Sequence, residues 1–174
     1  MANTGKVFEA DFRASLPPRV LVVRLNDSPQ AFSKSKLTRF TRRTPCDFIL
    51  FDGKTLYPVE LKTTKYRSIS FENINDDDDQ NKMVHKHQIL GLTEFSKYEN
   101  VKAGFFFDFR DEENDCERCY FQRIEDFNNM IKQINKKSFN ELDLLTVGKA
   151  IKIKGEKKRT RYRWNFDKFF ETQQ

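Results

Sequence analysis

The chain has 174 residues, 37% of them hydrophobic and 33% charged, with a net charge of +6 and a pI near 9.2. That length suits one domain around one core, and the excess of Lys and Arg favours a polyanionic partner. No apolar run approaches the roughly 20 residues that span a bilayer, no signal-peptide stretch opens the chain, and three cysteines without a repeating framework fit reduced thiols. A cytoplasmic protein is therefore expected.

Asn3 or Thr4 can cap a first helix running to about Ser15, with Phe8, Phe12 and Leu16 on one face. Glu9 and Arg13 form an i, i+4 pair on another face, and Pro17-Pro18 ends the helix. Residues 20–25 are β-branched and apolar and read as a first strand. Residues 26–45 read as a basic loop carrying Lys34, Lys36, Arg39, Arg42 and Arg43. A loop of that length in a compact domain tends to be functional or mobile.

The stretch from Thr44 to Lys62 reads as two strands joined at Asp52-Gly53, a dipeptide suited to a tight hairpin. The first strand, Cys46 to Phe51, is apolar except for Asp47. The second alternates, with Val59 and Leu61 on one face and Glu60 and Lys62 on the other. A turn centred on Asp52-Gly53 sets Asp47 opposite Pro58 and diagonal to Glu60, about 7 Å apart at the backbone. Pro58 has no N–H to give, so its nitrogen must point away from the first strand or the pairing breaks there. Two carboxylates and a lysine on one sheet face are costly without compensation. A divalent cation of the magnesium class, bound by Asp47 and Glu60, supplies it, and Lys62 would hold an attacking water or stabilise charge on a phosphate.

Residues 63–75 read as an irregular or short strand segment, with Lys65 and Arg67 approaching phosphate. The run Asp76 to Asp79 lacks the alternating ligands and glycine of a calcium loop and reads as a solvated surface loop. A helix is expected from Met83 to Lys97, with Ile89, Leu92 and Phe95 on one side. His85 and His87, two apart, point to different faces, which argues against a joint metal site. An aromatic strand from Val101 to Phe109 pairs with Cys119 to Arg123 across an Asp111–Asp115 turn. Cys116-x-x-Cys119 has the spacing of half a zinc site, but the chain offers no second pair.

Ile124 to Lys137 forms an amphipathic helix with Ile124, Phe127, Ile131 and Ile134 inward, and Ser138-Phe139-Asn140-Glu141 has capping-box form. Residues 150–174 read as a basic C-terminal arm. There Lys158, Arg159, Arg161 and Arg163, interleaved with Tyr162 and Trp164, suit contact with a nucleic-acid backbone and stacking. No internal repeat or linker divides the chain, so residues 1–174 are expected to form a single domain.

Pro45-x-Asp47 followed by Glu60-x-Lys62 resembles the PD-(D/E)XK nuclease signature, and more narrowly the RecU-type Holliday junction resolvases of bacteria and their phages. The likeness extends in order through Asn3-Thr4-Gly5-Lys6, Phe8-Glu9, Glu60 to Lys65, Ile69-Ser70-Phe71 and His87-Gln88-Ile89. It implies an α/β, restriction-endonuclease-like core, a mixed central sheet flanked by helices, with residues 26–45 as a short basic stalk entering a four-way DNA junction. It implies catalytic roles for Asp47, Glu60, Lys62, Glu9 and Gln88, with Glu9 beside the metal and Gln88 completing the metal shell or its water network. Mg²⁺, with Mn²⁺ as substitute, and a homodimer making paired symmetric cuts follow from the same resemblance. One position departs from the family: the threonine expected two residues before Asp47 is Pro45, with Thr44 one further back. A restriction-like or phage DNA-processing nuclease of other specificity, and a DNA-binding module that does not cut, are the alternatives.

Overall fold

The computed structural model describes residues 4–25, 44–75, 79 and 81–173. Helix α1 (Thr4–Ser15) stops short of Pro17 and Pro18 and leads into strand β1 (Leu21–Arg24). Strands β2 (Phe48–Phe51), β3 (Leu56–Thr64) and β4 (Ser68–Ser70) precede helix α2 (Lys86–Phe95). Strands β5 (Gly104–Asp111) and β6 (Cys116–Arg123), helix α3 (Ile124–Gln133), strand β7 (Ser138–Asn140) and helix α4 (Glu141–Thr146) follow. The chain closes with β8 (Ile151–Ile153), β9 (Gly155–Lys158), β10 (Arg161–Trp164) and α5 (Phe166–Gln173).

Among the described residues, six strands form one mixed sheet in the order β1-β2-β3-β5-β6-β8, in which β3 and β5 are parallel and the other pairings antiparallel. The parallel pair needs a crossover, and α2 lies within it. Two-stranded ribbons, β4–β7 and β9–β10, flank the sheet. This is the expected mixed α/β architecture: a hairpin, a crossover containing a helix, then a parallel strand, with helices on both faces.

Strand alternation divides the phenylalanines between two cores. Phe106 and Phe121 point to one face and meet Phe8 and Phe12 of α1 and Phe166, Phe169 and Phe170 of α5. Phe105, Phe107 and Phe109 point to the other, against Ile89 and Leu92 of α2, Phe127 of α3 and Phe139 of β7. Cys116 and Cys119 are three apart on β6 and so face opposite sides; all three cysteines are unpaired thiols. Among the described residues, no helix is long and apolar enough to cross a membrane.

Two expectations change. The segment expected as a C-terminal arm is built into the body over residues 150–173. β8 joins the main sheet, and the apolar face of α5 is buried in the core. The capping box belongs to Asn140 and Asp143, not to Ser138 and Glu141. The Asn140 side chain accepts from the Asp143 N–H at 2.9 Å, and the Asp143 carboxylate accepts from the Asn140 N–H at 3.1 Å. Ser138 is drawn into β7 by its pairing with Ser70, which buries Phe139.

Asp108, fully buried on β5, accepts the Thr63 hydroxyl at 2.7 Å through Oδ2, while Oδ1 has no hydrogen-bond partner among the described residues. Burial first, and then the charge of Glu117, push its carboxyl up from 3.8 to about 8. Between those values the native state holds a proton that the unfolded chain has released. The stabilisation from protonated Asp108 is therefore full below about pH 4 and lost as pH rises towards about 8. Asp108→Asn is expected to gain about 2 kcal/mol over wild type at pH 8 and little at pH 4. Urea unfolding at the two pH values checks this, and a variant less stable at pH 8 would contradict it.

Candidate active site

The hairpin loop sets the geometry. Gly53 takes a φ of +98°, and the Asp52 carboxylate accepts from the N–H groups of Lys54 and Thr55 at 2.9 and 2.7 Å and from the Tyr57 hydroxyl at 3.2 Å. The loop thereby takes in four residues, closed by the Asp52 N–H donating to the Thr55 carbonyl at 3.3 Å. Phe51 pairs with Leu56, Ile49 with Pro58 and Phe48 with Val59, so the register lies two residues from the expected one. A one-residue slip would have turned every side chain over; a two-residue shift preserves the faces. It carries Asp47 from a diagonal position to one alongside Glu60.

Pro58 fits because the Leu56 N–H and C=O bond away from β2, to Asn100 and Lys102 at 2.8 Å each. By alternation the Pro58 nitrogen points the same way. Pro45 has its own partner: a Cβ on Gly91 of α2 would come within 2.6 Å of the Pro45 side chain, so helix and proline meet only because position 91 is glycine.

β2 begins at Phe48, whereas β3 runs on to Thr64. The last backbone bond between them is the Asp47 N–H donating to the Val59 carbonyl at 3.1 Å. The next β3 donor on that side, the Leu61 N–H, is taken by the Asp47 carboxylate at 2.8 Å. Burial raises the Asp47 carboxyl above the usual range and nearby Glu9 adds to the rise, against the Leu61 N–H and the Lys62 ammonium.

Glu60 is 5% exposed. Its Oε1 lies 2.9 Å from the Lys62 ammonium and accepts a hydrogen bond from the Gln88 side-chain NH2 of α2. Gln88 thus turns its donor, rather than its oxygen, toward Glu60. Glu9, on α1, is held by Arg24 of β1 at 2.5 and 3.2 Å. Glu9, Asp47, Glu60 and Lys62 line an open pocket of about 420 Å³, together with Thr4 to Lys6, Phe8, Leu61, Thr63 and Met83. Gln88 supports it from beneath Glu60.

Among the described residues, no three His, Cys, Asp or Glu side chains form a ready cage for a metal. The pair Asp47 and Glu60 fits a different mode. Magnesium is held by one or two carboxylates, keeps several waters and takes further oxygens from substrate phosphates.

The expected nucleic-acid contacts are dispersed. Lys65 and Arg67 are exposed in the turn after β3, with the Lys65 ammonium 5.9 Å from the Tyr66 ring centroid. Lys158 and Arg159 lie at the β9–β10 turn, where Lys158 pairs with Glu156 at 2.8 Å. Arg161 and Arg163 bind buried Asp11 at 2.5 and 3.1 Å, which ties that hairpin to α1. Lys36, Arg39, Arg42 and Arg43 lie outside the described residues, as do Asp76 to Asp78 of the acidic run.

No protein-family model matches the chain. It is similar to the SPbeta prophage-derived uncharacterized protein YotM of Bacillus subtilis (strain 168), with 31% identity over 177 residues, covering 95% of this chain and 84% of that protein. The chain belongs to the YotM family. Among solved structures, this YotM-family chain is similar to Hjc of Archaeoglobus fulgidus, a Holliday junction resolvase, at 13% identity and a TM-score of 0.42, over 79% of this chain and 85% of that one.

Three contributors to the site of this YotM-family protein escape sequence reading. Arg24 reads as the end of a strand, yet it anchors Glu9. Glu72 falls in the segment expected to be irregular or a short strand, yet its carboxylate lies buried at the start of α2. Asp11 lies on the expected first helix without drawing notice there, yet it is 1% exposed. Each works through a partner distant in sequence, so only the i, i+4 pattern of α1, which leaves Asp11 beside Phe12 and Phe8, offered any signal.

Because burial raises Asp47, its protonated form stabilises the fold at low pH, and that stabilisation is lost as pH rises through its folded value. Asparagine keeps an oxygen for the Leu61 N–H without the charge. In EDTA at neutral pH, Asp47→Asn is therefore expected to exceed wild type in stability by about 1 kcal/mol, a gain that shrinks on acidification. Thermal melts across pH check it; a destabilised variant at pH 7 would contradict it.

Proposed function

We propose that the protein is a metal-dependent endonuclease that cuts branched DNA, resolving four-way junctions as a homodimer by paired symmetric cuts. The observation that carries this reading is the meeting of Asp47 and Glu60 where β2 gives out, with the Lys62 ammonium 2.9 Å from Glu60. The PD-(D/E)XK spacing of the same three residues supports it.

Asp47 and Glu60 are the residues that would hold Mg²⁺, or Mn²⁺ in its place. When bound, such an ion supplies positive charge at the scissile phosphate and a bound water of lowered pKa. Lys62 orients the attacking water or stabilises charge developing on the phosphate, as preorganised cations do in a partly desolvated site. Gln88 holds Glu60 by a donated hydrogen bond, and Glu9, steadied by Arg24, closes the pocket from the α1 side.

Lys65 and Arg67 follow directly from the catalytic strand and would take phosphates beside the cut. Lys158, Arg159, Arg161 and Arg163 would supply further phosphate contacts, as would Lys36, Arg39, Arg42 and Arg43, which lie outside the described residues. Binding through so many cations makes affinity fall steeply with salt. A twofold dimer brings two matching sites to the two strands that a junction presents.

The test compares a fixed four-way junction with linear duplex of the same sequence, in Mg²⁺, for wild type and Asp47→Asn. Paired symmetric cuts in the junction are expected, reduced on the order of 100-fold or more in the variant while binding persists. Equal cutting of linear duplex would contradict junction specificity. Tight binding with no cutting by wild type would contradict catalysis.

A further inference from the structure

We propose that Glu72 is a positioning residue for the cation site, acting on Glu60 through His85 and Gln88. The inference rests on the reading of Asp47 and Glu60 as cation ligands, but its structural part stands apart from it.

Glu72 follows Phe71, which bridges to Val84, and its own N–H donates to the Val84 carbonyl at 2.9 Å. This places its carboxylate, 5% exposed, at the N-terminus of α2. There it accepts from the Lys86 N–H at 2.5 Å and the Asp79 N–H at 2.7 Å, and lies 3.2 Å from His85 Nδ1. A carboxylate at a helix N-terminus satisfies backbone donors that have no intrahelical partner and complements the helix dipole.

His85 is the N-cap of α2, and its N–H donates to Gln88 Oε1 at 2.9 Å. That bond decides which way the Gln88 amide points. A backbone N–H can be met only by the amide oxygen, and the Glu60 carboxylate only by the amide NH2. Both ends select one orientation, in which Gln88 gives Glu60 a donor. A glutamine so held braces the carboxylate and does not offer its own oxygen to the site. Glu72 fixes the residue that fixes the glutamine, a line of bonds running from the segment after β4 through the helix start to β3.

A plain helix cap would also stabilise α2, so the test must separate the two roles. Wild type and Glu72→Ala are compared by Gln88 side-chain NH2 resonances in NMR, and these two together with Gln88→Ala and the double variant by Mn²⁺ titration calorimetry without DNA and by thermal melts. In Glu72→Ala the Gln88 resonances are expected to shift and lose exchange protection, and Mn²⁺ affinity to fall about 10-fold. The double variant is expected to bind Mn²⁺ no more weakly than Gln88→Ala alone, the non-additivity of residues acting in one line. A lowered melting temperature with unmoved Gln88 resonances overturns the proposal, as do unchanged Mn²⁺ affinity or full additivity. If Glu72→Ala does not fold, Glu72→Gln, close in shape, gives the same comparison. Equal Mn²⁺ binding by wild type and Asp47→Asn would overturn the cation reading instead, and the NMR signals would still decide whether Glu72 positions Gln88.

Discussion

The Leu61 N–H is a strand donor without a strand to receive it. β3 outruns β2, and the acceptor that a longer β2 would have supplied comes from the Asp47 carboxylate at 2.8 Å. An unmet donor at this half-buried position would cost about 1–3 kcal/mol, so the carboxylate has a structural reason to lie there. The consequence is electrostatic. Asp47 is brought beside buried Glu60, with Glu9 close enough to raise its carboxyl further. Lys62, Gln88 and Arg24 each oppose part of that crowding by binding Glu60 or Glu9. What remains is a cluster of acidic groups whose chemistry suits an oxygen-seeking cation.

Such a cluster holds its shape only on a stiff support. β3 and β5 lie at the middle of the sheet, packed by phenylalanines on both faces, and β3 carries Glu60 and Lys62 directly. α1 brings Glu9 to the pocket and is pinned from behind by Asp11, which binds Arg161 and Arg163 and also accepts from the Tyr162 N–H at 3.2 Å. The helix at the mouth of the pocket and the β9–β10 hairpin are therefore fastened to each other, so the two share one support.

The face shared by Asp47, Glu60 and Lys62 was legible because strand periodicity of two survives a register shift of two. The shift itself was not. Asp52-Gly53 announces a turn, but nothing in the dipeptide shows that the Asp52 side chain will gather the N–H groups of Lys54 and Thr55 and lengthen the loop. The amphipathic helices were legible from their apolar spacing. The C-terminal segment was misread because its Lys and Arg residues draw attention from Phe166, Phe169 and Phe170, which have helical core spacing and are buried. Ser138 has the form of a cap in the sequence, but strand pairing to β4 draws it into β7 and leaves the capping role to Asn140. Arg24, Glu72 and Asp11 were illegible for a common reason: their partners lie too far along the chain for any local pattern to link them.

The most direct measurement is a crystal soaked in MnCl2, with anomalous scattering recorded at the manganese edge. A single strong peak bonded to carboxylate oxygens of Asp47 and Glu60, absent from crystals of Asp47→Asn, is the expected result. Manganese bound elsewhere with this pair untouched, or a peak unchanged in the variant, would contradict the assignment of this site as the metal centre of a nuclease.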